Sequence, residues 1–216
     1  HAVDLADGMW HEADLMGAGI VGGDLVSGPQ WVVSVTALGD LGGRTPMRRN
    51  GARPGDVIAL IGEPGRSHAG YELWRNGIEQ FDELRRRHLV PQPPYGQGEV
   101  AARTGATSMT DVSDGLLADL GHIASASEVS VDVSLDLLAA DLDAVAAAGA
   151  VIDADVRRWV LGGGEDHALV ATFPTDPPPG WRRIGRVRGH TGSQPRVTVD
   201  GVPWHGTAGW ESFRVD

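Results

Sequence analysis

The sequence predicts a protein of the α/β or α+β class. Short runs rich in β-branched residues alternate with segments of helical period, and turns rich in Gly and Pro separate them. Its 216 residues accommodate one full α/β domain and a piece of a second.

Taken in chain order, residues 9–18 are moderately helical, and a short apolar stretch then runs into Gly22-Gly23-Asp24. Residues 31–38 (Trp-Val-Val-Ser-Val-Thr-Ala-Leu) are dense in β-branched side chains and predict a strand. A Gly-, Arg- and Pro-rich loop at 39–55 marks a domain boundary. Residues 56–61 predict another strand. Over 67–88, Tyr71, Trp74, Ile78, Phe81 and Leu84 recur at three- and four-residue steps, so one helix with a single apolar stripe is expected, with Gly77 inside it. Pro91, Pro93 and Pro94 close that segment. Helices are expected at 97–104, 116–125, 135–148 and 155–161, and strands at 129–133, 167–173, 184–187 and 196–199.

Composition excludes several classes. No apolar run reaches the roughly 20 residues that span a bilayer, and the acidic first ten residues lack the apolar core of a signal peptide. A cytoplasmic protein with no membrane partner is the expectation. With no cysteine, disulfides, thiolate metal sites and cysteine nucleophiles are ruled out. A net charge of −11 opposes a phosphodiester polymer, so no nucleic-acid partner is expected. All 18 basic residues are arginine, which removes a lysine-bearing phosphate loop and Schiff-base chemistry. Any phosphate handled here must meet arginine, backbone N–H groups, or metal ions held by carboxylates.

Four stretches carry candidate chemistry. In Asp111-Val112-Ser113-Asp114-Gly115, a strand would place Asp111 and Ser113 on one side, and Ser113 or Asp114 would cap the following helix. The helix start could receive a phosphate, and two carboxylates beside it suit Mg²⁺. An ordinary capped helix with a solvated Asp111 accounts for the same spacing. Gly22-Gly23-Asp24 is either a tight turn or a close backbone approach to phosphate with a metal-binding carboxylate. Gly162-Gly163-Gly164-Glu165-Asp166 either presents Glu165 to a polar ligand or simply enters a strand. In the run 48–56, an arginine either grips a nucleotide phosphate or belongs to a solvated basic loop. The eight histidines form no i, i+4 pair; His122 and His167 read as structural or surface residues.

Together, and in this order, Gly-Gly-Asp at 22–24, Arg-Arg-Asn-Gly-Ala-Arg-Pro-Gly-Asp at 48–56, Asp-Val-Ser-Asp-Gly-Leu at 111–116 and Gly-Gly-Glu-Asp at 163–166 resemble the thiamine-monophosphate kinase family. Gly209-Trp210-Glu211-Ser212-Phe213 looks like that family's closing motif. Its fold is similar to that of aminoimidazole-ribonucleotide synthetase and selenophosphate synthetase. The resemblance implies that residues 1–40 are the remainder of an N-terminal ATP-binding and dimerisation domain. Residues 41–216 would then be a C-terminal α/β sandwich domain.

The activity implied is direct transfer of the γ-phosphoryl of ATP to thiamine monophosphate, in a homodimer, giving thiamine diphosphate. Carried over, Gly23, Asp24, Arg49 and Ser113 would meet ATP. Asp24, Asp111 and Asp114 would hold several Mg²⁺ ions, with K⁺ a candidate monovalent cation. Glu165 and Trp210 would contact thiamine monophosphate, Trp210 by stacking on a ring of the substrate. No catalytic base is assigned, since a phosphate monoester is largely ionised near neutrality, with a second pKa of roughly 6.

His167 replaces the family's usual tyrosine, the Gly22–Val26 stretch lacks two threonines often seen there, and the family's earlier Asp-Asp and Ser/Thr-Asp segment is not among these residues. The chain therefore reads as most of such an enzyme. The alternatives are a relative with another small acceptor and a non-catalytic nucleotide-binding subunit.

Overall fold

The computed structural model describes residues 1–192 and 196–210. The chain divides into two units, 1–46 and 47 onward, within the Gly/Arg/Pro loop. In the first unit, α1 (Ala2–Leu15) buries none of its residues. The strand expected at 31–38 does not form, and all eight residues are exposed. β-branched residues favour a pleated surface that is half buried and hydrogen-bonded to a neighbour. Residues 1–46 contain no other strand to supply one.

The second unit is built on a seven-stranded sheet. Its strands are β1 (Val57–Ile61), β2 (Ser108–Val112), β3 (Val129–Val133), β4 (Ala168–Phe173), β5 (Arg182–Gly189), β6 (Val197–Val199) and β7 (Val202–Pro203). They lie in the order β2-β4-β1-β5-β3-β6-β7. Every pairing is antiparallel except β3 with β6. Alternation along β1 separates two cores. Ile58 and Leu60 join a large one with Val112, Leu116, Val131 and Ile184. Ala59 joins a smaller one with Ala101, Ala171, Phe173 and Trp181.

The larger core lies under α2 (Arg66–Arg75), α5 (Leu116–Ala126), α6 (Ala139–Val151) and α7 (Val156–Gly162), whereas α4 (Gln97–Arg103) covers the smaller one. This is a mixed α/β layer structure, as the alternation of elements predicted.

The single helix expected over 67–88 is two, α2 and α3 (Asp82–Leu89). Gly77 ends α2 at φ 69°, a conformation glycine adopts without steric cost. Its N–H reaches the Trp74 carbonyl, and the next N–H, of Ile78, reaches Leu73. This pair of bonds satisfies the last carbonyls and turns the chain. The second half of the apolar stripe survives because α3 folds back on α2, with Leu84 in the larger core and Ile78 and Phe81 packed against it, whereas Trp74 is exposed. The helix expected from 135 begins instead with a 3₁₀ turn, Asp136–Leu138, before α6.

Candidate phosphate-transfer site

β2 ends at Val112 in the core, and the chain turns through Ser113-Asp114-Gly115 before α5. The sequence expectation that Ser113 or Asp114 caps this helix is not met. Gly115 is the cap residue, and it has no side chain of its own to bond there. The turn instead wraps the carboxylate of Asp119, one turn into α5. A single oxygen, Oδ2, accepts the N–H groups of Ser113 (3.0 Å), Asp114 (3.1 Å) and Gly115 (3.1 Å). Those three donors are therefore committed to Asp119 and cannot serve a phosphate.

Asp119 is 2% exposed. Burial pushes its pKa up, and the charge of Asp114 adds to this, while the three N–H bonds pull it down.

Two further segments close on this turn. The Ser113 carbonyl accepts the Glu165 N–H at 2.8 Å, and the Asp114 carbonyl accepts the Trp210 N–H at 2.9 Å. The glycines flanking Glu165 and Trp210 permit this approach. A Cβ on Gly164 would lie 2.5 Å from the Ser113 carbonyl oxygen, and one on Gly209 2.6 Å from that of Asp114. Ser113, Asp114, Glu165 and Trp210, to which the family resemblance assigned roles, thus meet at one place. Glu165 and Trp210 are both exposed there. Glu211 to Phe213, the rest of the closing motif, lie outside the described residues.

Asp111 is exposed on β2. Its Oδ1 accepts from Thr110 Oγ1 at 3.3 Å, and that oxygen in turn accepts from Arg49 Nε at 3.2 Å. Arg49 and Asp111 are therefore neighbours, joined through Thr110. Gly23 and Asp24 belong to the first unit, where both are exposed and Asp24 Oδ1 accepts the Leu25 N–H at 2.8 Å.

Among the described residues, the potential metal-ligand group is Asp114, Asp119 and His122, whose donor atoms lie within 4.8 Å of one another. Asp111 is not part of it. Sequence reading missed Asp119 as a site residue. The available signal was an acid on the apolar face of α5, three residues after Leu116 and four before Ile123. The two carboxylates fit a hard divalent cation such as Mg²⁺, whereas the His122 imidazole is not a ligand that such an ion favours. Neither Asp111 nor Asp114 has an arginine partner among the described residues.

Asp166 points away from this place. Its two oxygens accept the N–H groups of Gly65 (2.6 Å) and Ser67 (2.8 Å) at the start of α2. Burial is the main cause that pushes its pKa up to about 7. Beside it lies a cleft of about 240 Å³ lined by Glu63, Arg66, Arg87 and Gln92. Both arginines there are already paired with Glu63.

Residues 53–161 match the family described as AIR synthase related protein, C-terminal domain. The chain is 64% identical over 209 residues to the thiamine-monophosphate kinase of Mycobacterium tuberculosis, covering 97% of this chain and 62% of that protein. It is 40% identical over 215 residues to that of Corynebacterium glutamicum, covering 97% and 64%. The solved complex of AaThiL with AMPPCP and TMP superimposes with a TM-score of 0.66 at 30% identity, over 77% of this chain and 54% of that one. The chain thus spans a little over three fifths of these curated relatives. On the matched domain and this identity, the chain belongs to the AIR synthase related family, among the relatives of the thiamine-monophosphate kinases.

Proposed function

We infer that the protein of which this chain forms part transfers the γ-phosphoryl of ATP to thiamine monophosphate, giving thiamine diphosphate. The observation that carries this is the joint at 113–115. There the carbonyls of Ser113 and Asp114 receive the N–H groups of Glu165 and Trp210. A carboxylate suited to a cation and two exposed side chains suited to an acceptor share one short turn. The AaThiL complex with AMPPCP and TMP supports the choice of substrates.

Asp111 and Asp114 would hold Mg²⁺, and Asp24 in the first unit is read as a further ligand; when bound, the ion would supply neutralisation of the phosphate charges and orientation for in-line displacement. Arg49, whose Nε bonds Thr110, has its remaining guanidinium N–H groups for an ATP phosphate, and Ser113 and Gly23 approach the nucleotide. Glu165 and Trp210 hold the acceptor, Trp210 by stacking against its cationic ring, a contact worth about 0.5–2 kcal/mol. No side chain need remove a proton, because the attacking phosphate oxygen is already ionised. Residues 1–40 are read as the remainder of the ATP-binding domain through which a cytoplasmic homodimer forms, and 41–216 as the C-terminal domain.

The test is direct. The full-length protein, with ATP, Mg²⁺ and thiamine monophosphate, yields thiamine diphosphate. Trp210→Ala raises KM for thiamine monophosphate about tenfold while leaving that for ATP nearly unchanged. Thiamine monophosphate left unconsumed by the wild type would overturn the assignment.

A further inference from the structure

Asp119 is an acid on the core side of α5, in the first turn, among Leu116, Leu120 and Ile123. A carboxylate there is costly unless its oxygens are satisfied. The bonds that satisfy it come from three successive peptide units, all on one oxygen.

A peptide unit is planar and trans, so fixing the direction of its N–H fixes that of its carbonyl. The three N–H groups held by Asp119 share their peptide planes with the carbonyls of Val112, Ser113 and Asp114. Each of those carbonyls is gripped from the other side. Val112 accepts the His167 N–H at 3.0 Å, Ser113 that of Glu165 at 2.8 Å, and Asp114 that of Trp210 at 2.9 Å. Every plane of the turn therefore links Asp119 to a residue of the Glu165 loop or to Trp210.

We propose that Asp119 is a positioning residue that locks the cation-holding turn to the two acceptor-holding segments through the peptide planes of 112–115. The inference rests on the functional reading above only for what the joint handles; the mechanical coupling is independent of it. Without the carboxylate the three planes are free to rotate, and the N–H groups of Glu165, His167 and Trp210 lose their acceptors together. Arg49, Gly23 and Asp24 are not attached to this turn through those bonds, whereas Ser113 and Asp114 belong to it, so the signature of the coupling is the joint loosening of Glu165, His167 and Trp210.

The experiment uses Asp119→Ala in the full-length protein, which removes the single oxygen on which all three N–H bonds converge. Residue-resolved amide hydrogen exchange is expected to accelerate at Glu165, His167 and Trp210 together, by about tenfold or more, while Val170 and Leu60 in the sheet keep wild-type rates. KM for thiamine monophosphate rises by about tenfold. Acceleration confined to 113–115, or spread equally over the sheet, would overturn the proposal and leave Asp119 a residue of general stability.

If Asp119→Ala does not fold, Asp119→Ser, which admits water to the three N–H groups, is measured in the same way. Failure of both variants to fold also counts against the proposal. If the wild type does not act on thiamine monophosphate, the functional reading falls, and the exchange data still decide this one.

Discussion

Glu165 and Asp166 are adjacent acids with opposite environments, and the backbone makes them so. Glu165 sits at φ 66° and His167 at φ 51°, a left-handed pair that costs of order 1–3 kcal/mol per residue. The strain turns Glu165 outward, 3.3 Å from the His167 ring, and Asp166 inward onto the start of α2. Glu63 and Asp141 raise the pKa of Asp166 further, although Asp141 is itself paired with Arg182. The folded pKa of about 7 lies above the ordinary 3.8, so between these values the folded state binds the proton and the unfolded state does not. Stability from this group is therefore full below about pH 4 and falls as pH rises to about 7, by up to roughly 4 kcal/mol. Urea unfolding of Asp166→Asn between pH 4.5 and 8 should lack that decline relative to wild type. Parallel pH profiles would show that Asp166 does not titrate as described. At this scale the site was half legible. Exposed acids in Gly-rich turns stand out in a sequence, but Asp119 and Asp166 act by receiving N–H groups from turns that only the fold brings to them.

At the scale of elements, β1, α4, α5, β3, α7 and β4 were legible because each is short and carries its own apolar pattern, and all but β3 adjoin a Gly or Pro. The β7 strand was not, since two residues carry no period. The strand expected at 31–38 fails because strand propensity describes fit to a partner, and residues 1–46 hold none. The stripe over 67–88 misled in another way. Two helices folded on one another present the same apolar spacing as one long helix, and only the glycine between them distinguishes the cases. Gly77 tests this. Nothing lies within 4 Å of a Cβ built there, so a substitution meets only the backbone penalty of φ 69°. Gly77→Ala should lower unfolding free energy by about 1–2 kcal/mol, read from the urea midpoint, with kinetic constants unchanged. A neutral result would mean that the α2–α3 turn does not require the left-handed residue.

For the molecule as a whole, the distribution of charge matters more than its sum. Arginine is paired where structure needs it: Arg182 with buried Asp141, Arg188 with Asp132, and Arg66 and Arg87 with Glu63. In contrast, Asp114 lies beside Asp119 and His122 with no arginine partner among the described residues, in a chain whose net charge is −11. Repulsion between Asp114 and Asp119 opposes the compact state and would fall with a divalent cation held by Asp114. A site built this way gives up stability for binding. Mg²⁺ at about ten times its dissociation constant contributes roughly 1.4 kcal/mol, which raises the melting temperature by about 3 °C for a protein of this size. Asp114→Asn should remove that increment and, in the absence of Mg²⁺, melt no lower than wild type, because it relieves the same repulsion. Sodium chloride at matched ionic strength separates the two sources of stabilisation. Screening of dispersed surface charge acts on both proteins alike, whereas a cation held by Asp114 distinguishes them. Equal Mg²⁺ shifts in wild type and variant would assign the effect to the overall charge and remove Asp114 from the metal site.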